Sequence, residues 1–247
     1  DITLTSAARV ATDDGQLHLQ LTKNIRRGDC VLEAPLEACV TIDRARGMPW
    51  LSAAESNAGE AWDPWCCDAS LLAACLLRDN LPREWISSLP QDLWLPLLDT
   101  NEPPSCSARD LGALRENAVD DMQWLVDNTG ENWDDFMIAL AWVISRSVEV
   151  PDVGLCLAPG LDLIDHDDLL DPFEEDLLCE LGPRGPGNIM LPGRKTVRFL
   201  APEDRSKGEK LVASYGALPA AAYLERYGFL PRTGAARRFA ATAELRF

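Results

Sequence analysis

Two histidines, His18 and His166, are the whole imidazole supply of this 247-residue chain, and that scarcity removes several chemistries at once. A metallohydrolase built around His166 and Asp167 needs more histidine ligands than the sequence holds. The acidic run DLIDHDDLLDPFEEDLL is rich in carboxylates, yet their spacing is not that of a calcium-binding loop and the turn glycine is missing. It reads as a solvated acidic loop. Glycines from Gly182 to Gly193 are interleaved with prolines and do not join a strand to a helix, so neither a phosphate-cradling nor a dinucleotide-binding loop is present. Ser145 and Ser214 lack a nucleophile-elbow context. Eight cysteines form no C-x-x-C pair, which disfavours zinc, and no metal is expected. Cys75, inside LLAACLL, behaves as a small buried hydrophobe. Reduced core cysteines point to an intracellular or organellar compartment. Taken singly, Tyr215 is a strand-end tyrosine, Arg146 a cation complementing a helix C-terminus, and His166 a loop residue.

The elements that must position these groups change texture along the chain. Leu17, Leu19 and Leu21 alternate with His18 and Gln20, the pattern of a half-buried strand with the leucines inward. A turn follows at Arg26-Arg27-Gly28-Asp29, and CVLEAPLEACVTI then reads as two short strands broken at Pro35. Met48 to Asp63, rich in Ser, Asn, Gly and Glu, reads as a loop. From Asp68 the pattern is helical, in SLLAACLLRD, SARDLGALRENAVDDMQWLVDN and NWDDFMIALAWVISRS, with N-caps at Asp68, Ser107 and Asn132. After Val150-Pro151 short strands return in VRFLAPED and EKLVASYG, with a brief helix near Ala220 to Arg226. Strands, then helices, then strands predict one β-rich domain carrying a helical insertion. No internal repeat is visible.

The net charge of −17 and pI near 4.4 repel a phosphate backbone, so nucleic acid is not a direct partner. The same field favours solubility or a basic partner surface. No run of about 18 apolar residues is present and the chain opens without a secretory pattern, so no membrane association is expected.

Four separated segments together resemble one family. TKNIRRGDCVLEAPLEACVTI is similar to the start of a SET domain. ALAWVISRSV resembles the helix that ends in the family's serine-arginine pair. LCLAPGLDLIDHD is similar to its L-x-P-x-x-D-x-x-N-H segment, and VRFLAPEDRSKGEKLVASYGALPAAAYLERYGFLP to its closing strand pair, S-Y-G and Y-G-F helix. SLPQDLWLPLLD resembles an L-P motif in the insertion. On these residues the chain resembles the SET-domain protein methyltransferases of the Rubisco large-subunit methyltransferase and SETD-like type.

The resemblance implies an α+β fold of short strands in small sheets around a pseudoknot-like core. Its SET portions would be residues 1–65 and 141–247, with a helical insertion at 66–140. It implies an S-adenosylmethionine-dependent protein-lysine N-methyltransferase acting on a basic protein substrate, with a chloroplast address or otherwise a cytoplasmic or nuclear one. The alternative is a catalytically degenerate SET domain kept as an assembly subunit of a larger complex. Carried over by motif, Tyr215 would orient the target amine. Arg146 would reach the cofactor carboxylate, its guanidinium fork matching a planar anion. Asp165 and His166 occupy the Asn-His pair at the cofactor, with Phe229 covering it and Ser145, Asp162 and Tyr227 bordering the substrate channel. Leu17, His18 and Leu19 fall in the cofactor-binding turn.

Here the chain departs from the family. Gln16-Leu17-His18-Leu19 stands where relatives carry G-R-G-L, whose glycines permit positive φ and leave room for the ligand. Asp165 replaces the Asn, Val148 replaces an aromatic, and the sequence ends at Phe247 without the family's helical C-terminal domain. Some relatives modify histidine, so the acceptor residue stays open.

Overall fold

The computed structural model describes residues 3–4, 7–13, 16–58, 68–90, 93, 123–124, 126–127, 130, 132–166, 179–183, 195–214, 223 and 227. The chain forms two compact units. The first comprises 1–39, 148–219 and 231–247, and the second 40–147 and 220–230.

In the first unit, β1 (Thr3–Leu4), β4 (Cys30–Pro35), β10 (Lys195–Leu200) and β9 (Cys179–Pro183) form a four-stranded antiparallel sheet in that order. The register sets Val197 opposite Ala34 and Phe199 opposite Leu32. All four side chains are buried, so one face of the sheet is core. A separate hairpin joins β2 (Ala8–Asp13) to β3 (Gln16–Leu21), in step from Ala8 opposite Leu21 to Asp13 opposite Gln16. β6 (Val148–Val150) and β7 (Gly154–Leu157) make a second short antiparallel pair. After a 3-10 turn at Leu161–Leu163, β8 (Asp165–His166) lies parallel to β11 (Val212–Ala213).

The leucine alternation predicts β3 correctly as a strand, but its burial differs from the expectation. Leu19 and Leu21 are buried as predicted, whereas Leu17 is 38% exposed and His18 only 5% exposed. Leu17 lies toward the turn end of the hairpin, opposite Thr12, which is also exposed. His18 is covered by tertiary structure that a period of two cannot reveal.

The opening and closing motifs are clamped together by two turns that serve each other reciprocally, a relationship absent from the sequence reading. Ile25 N–H donates to the Arg205 carbonyl at 2.9 Å, and Arg205 N–H donates back at 3.1 Å. Arg26 N–H donates to the Asp29 carboxylate at 2.9 Å, and Ser206 N–H to the Glu209 carboxylate at 2.7 Å. Arg27 N–H donates to Oδ1 of Asp204, while Lys207 N–H donates to Oδ1 of Asn24, both at 2.9 Å. Gly28 N–H reaches the Ala201 carbonyl, and Gly208 N–H the Leu21 carbonyl, again both at 2.9 Å. Residue for residue, 21–29 and 201–209 are related by an approximate two-fold exchange. Gly28 and Gly208 complete it with φ of +83° and +92°, a region that side-chain-bearing residues rarely adopt.

The second unit opens with β5 (Val40–Thr41) and α1 (Ile42–Arg46), whose N-terminus is capped by Thr41 Oγ1 accepting from Arg44 N–H at 3.2 Å. Met48 to Asp63 does not read as observed: α2 spans Pro49–Ala58. Pro49 suits a first helical position, Leu51 is buried, and Trp50 lies under the Arg78 guanidinium at 6.0 Å. Those anchors outweigh the Ser, Asn and Glu that favour a loop. α3 (Asp68–Arg78) is buried continuously from Ser70 to Leu76 and packs against α5 (Trp133–Arg146), with α4 (Arg83–Ser88) between them in sequence. Asp68 stands in the first turn of α3. Asn132 caps α5 as predicted, accepting from Asp134 N–H at 2.8 Å. Ser107 and most of the expected helix after it lie outside the described residues.

Cys30, Cys39, Cys75 and Cys156 are free thiols, and all but Cys30 are buried. Burial pushes the Cys75 thiol from 9.0 up to about 11, the Asp79 carboxylate adding to the rise and Arg44 opposing it. The folded state therefore holds this proton more tightly than the unfolded chain does. The associated stability is fully present below pH 9.0 and is lost as pH rises toward 11. Denaturant titrations should show the stability gap between wild type and Cys75→Ala narrowing across that window. A gap independent of pH counts against the assignment.

Gly28→Ala and Gly208→Ala should each lower unfolding free energy by about 1–2 kcal/mol. No atom lies within 4 Å of an added Cβ at either site, so the cost is backbone strain alone. Urea midpoints unchanged from wild type would contradict this reading of the turns.

Candidate functional site

Three distant segments of the first unit meet through backbone hydrogen bonds. After the turn at Lys207 and Gly208, the chain runs antiparallel along β3: Leu21 N–H donates to the Glu209 carbonyl at 2.9 Å, and Leu211 N–H to the Leu19 carbonyl at 2.8 Å. From the next residue it pairs with β8, setting Val212 opposite Asp165 and Ala213 opposite His166. The 3-10 turn before β8 packs on β3. The start of the Ser214-Tyr215-Gly216 segment, the His166 backbone and the strand holding His18 thus share one junction.

Two of the polar groups there, Asp162 and His18, are enclosed. Asp162 is 4% exposed, and its Oδ1 accepts from Gly160 N–H at 2.6 Å. That bond holds a turn in which Gly160 has φ of +88°, with Leu32 Cδ1 2.7 Å from where a Cβ would stand. Pro159-Gly160 in the sequence carries the turn signal, but not the close approach of Leu32. His18 is buried too, and among the described residues its Nδ1 has no hydrogen-bond partner. Asp165, by contrast, is exposed. Lys210 Nζ forms an ion pair with Asp13 at 3.2 Å on the outer side of the hairpin.

The remaining expected residues divide as follows. Leu19 is a buried core residue and Leu17 is exposed. Tyr215 and Phe229 lie outside the described residues, as does the side chain of His166. In the second unit, the Ser145 hydroxyl donates to the Ala141 carbonyl of its own helix at 2.7 Å. Arg146, the last residue of α5, is half-buried. Tyr227 is half-buried against Tyr223, ring centroids 5.9 Å apart. A cavity of about 500 Å³ in this unit is lined by Asp79, Asn80, Leu81, Arg83, Ile86, Ser87 and Trp142. It includes none of the expected site residues. Among the described residues no His, Cys, Asp and Glu cluster is arranged to hold a metal ion, and no helix is long and apolar enough to cross a membrane.

Asp162→Ala should cost about 1–3 kcal/mol of stability by stranding the Gly160 N–H. Asp162→Asn keeps an Oδ1 acceptor and should cost less. Equal melting temperatures for the two variants would deny Asp162 its part in the turn.

No protein-family model matches the chain, and no curated protein matches it in sequence. Solved structures do match in fold. The SET domain of LSMT bound to methyllysine and AdoHcy superposes with a TM-score of 0.74 at 18% identity, covering 94% of this chain and 54% of that one. Rubisco LSMT bound to AdoMet gives 0.69 at 18% identity, covering 93% and 53%. Rubisco LSMT bound to sinefungin and monomethyllysine gives 0.68 at 17% identity, also covering 93% and 53%. The chain spans about half the length of the solved structures it matches. Its architecture is therefore that of a SET domain, an α+β fold of small sheets with helices inserted between the strand-rich segments.

Proposed function

We propose that this chain is an S-adenosylmethionine-dependent protein-lysine N-methyltransferase of the Rubisco large-subunit methyltransferase type. The observation that carries the reading is fold likeness over more than nine-tenths of the chain to structures described as bound to AdoHcy together with lysine or methyllysine, or to AdoMet. Fold alone does not fix activity. The junction of β3, β8 and β11 supports the same reading, because it brings two of the four resembling segments together, and the Ile25–Arg205 clamp ties a third to them. The residues there fit a polar ligand. An orphaned buried nitrogen, Nδ1 of His18, is what a site leaves behind when its partner belongs to the ligand.

Bound S-adenosylmethionine supplies an electrophilic methyl group on sulfonium, which an amine accepts as the N–C bond forms and the S–C bond breaks. The chain's task is to hold the two reactants in line and to exclude water. We assign Tyr215 to orient the acceptor amine through its hydroxyl, and Asp162 to border the channel that admits it. Lysine arrives protonated. Burial of its ammonium lowers its pKa, so entry into an apolar channel favours loss of the proton to water. His166 backbone atoms, beside Ala213, are assigned to the cofactor. In the second unit, Arg146 is assigned to the cofactor carboxylate on its fork geometry, and Tyr227 and Phe229 supply aromatic walls. The acidic charge of the whole chain favours a basic protein surface as substrate.

Calorimetry with S-adenosylmethionine should detect binding to wild type, weakened at least about tenfold in Arg146→Ala. The absence of heat at high micromolar cofactor would sink the enzyme reading in favour of the assembly module. With poly-L-lysine as acceptor, Tyr215→Phe should slow methyl transfer about tenfold or more while cofactor affinity stays within about twofold. Parallel losses in both would remove Tyr215 from its orienting role.

A further inference from the structure

The imidazole of His18 poses a specific physical problem. It is 5% exposed, it sits in β3 next to Leu19, whose carbonyl bonds Leu211, and its Nδ1 has no hydrogen-bond partner among the described residues. An unsatisfied buried nitrogen costs free energy in every folded molecule. Bulk alone would be supplied as well by leucine or phenylalanine, without that cost. The chain nevertheless places an imidazole at the position to which the SET-domain resemblance assigns a glycine.

We propose that His18 Nδ1 is a side-chain hydrogen-bond partner of bound S-adenosylmethionine, replacing by a side chain what the glycine turn provides through backbone. This rests on the methyltransferase reading of the site. Neutral imidazole can either donate or accept at Nδ1, so it suits the polar groups of the amino-acid and nucleoside parts of that molecule. His18 is then a binding and positioning residue for the cofactor, and the missing glycines are a substitution of means rather than a loss of the site.

The test separates the nitrogen from the bulk. His18→Phe keeps a planar ring and removes the nitrogen. S-Adenosylmethionine affinity should fall about tenfold, while the cofactor-free protein melts at the same temperature as wild type or higher. His18→Asn places an amide group near the Nδ1 position and should keep affinity within about threefold of wild type. His18→Gly tests the plug directly. Tighter binding in that variant, or unchanged affinity in His18→Phe, overturns the proposal.

Wild type provides a readout independent of any variant's folding. Because the chain holds two histidines, 15N-histidine labelling gives two imidazoles to follow, distinguished by the signal lost in His18→Asn. Titration with S-adenosylmethionine should move the His18 Nδ1 resonance. A resonance that stays fixed while calorimetry shows saturation refutes the contact and leaves the methyltransferase reading standing. If wild type shows no binding by either method, both fail together.

Discussion

The reciprocal pair of turns is the constraint on which the first unit depends. Ile25 and Arg205 exchange backbone hydrogen bonds, and each turn's N–H groups are satisfied by carboxylate, amide or carbonyl oxygens from its own loop or its counterpart. Buried or half-buried backbone must find such partners or pay a desolvation cost. Here the partners are supplied mutually, so neither turn is complete without the other. From this clamp β3 and the segment after Gly208 leave side by side, and their pairing delivers the chain to β8. The candidate site is therefore a consequence of the clamp rather than an independent feature.

Much of this was legible in the sequence, for physical reasons that can be named. Arg26-Arg27-Gly28-Asp29 announces a turn because glycine relieves a positive φ and a short acid can accept from the backbone. Asn132 announces α5 because its amide oxygen satisfies N–H groups with no helical partner. The order of the four resembling segments indicated the SET architecture that the solved structures share.

What escaped has a common origin in tertiary context. The inversion at Leu17 and His18 follows from where the hairpin ends and what covers it, neither of which alternation encodes. α2 is held by Leu51 and Trp50, two anchors in a polar stretch. The relation between 21–29 and 201–209 escaped because its bonds are mostly backbone to backbone or to short polar side chains. Leu21 with Ala201, Asn24 with Asp204, Arg27 with Lys207, Gly28 with Gly208 and Asp29 with Glu209 share residue character, yet the other four positions do not. The junction of the three strands likewise depends on register, and the orphaned state of His18 Nδ1 on burial that no residue pattern reports.

The clamp also has a kinetic consequence. Arg27 and the Asp204 that accepts from it are 177 residues apart in sequence. Loop closure over such a span is entropically costly and slow compared with forming the neighbouring hairpin or a single helix. On the ribosome, the first turn emerges long before its counterpart is synthesised. The β2–β3 hairpin and the helices of the second unit can therefore gain local structure while the first unit waits, and its final assembly is deferred until translation has passed Glu209.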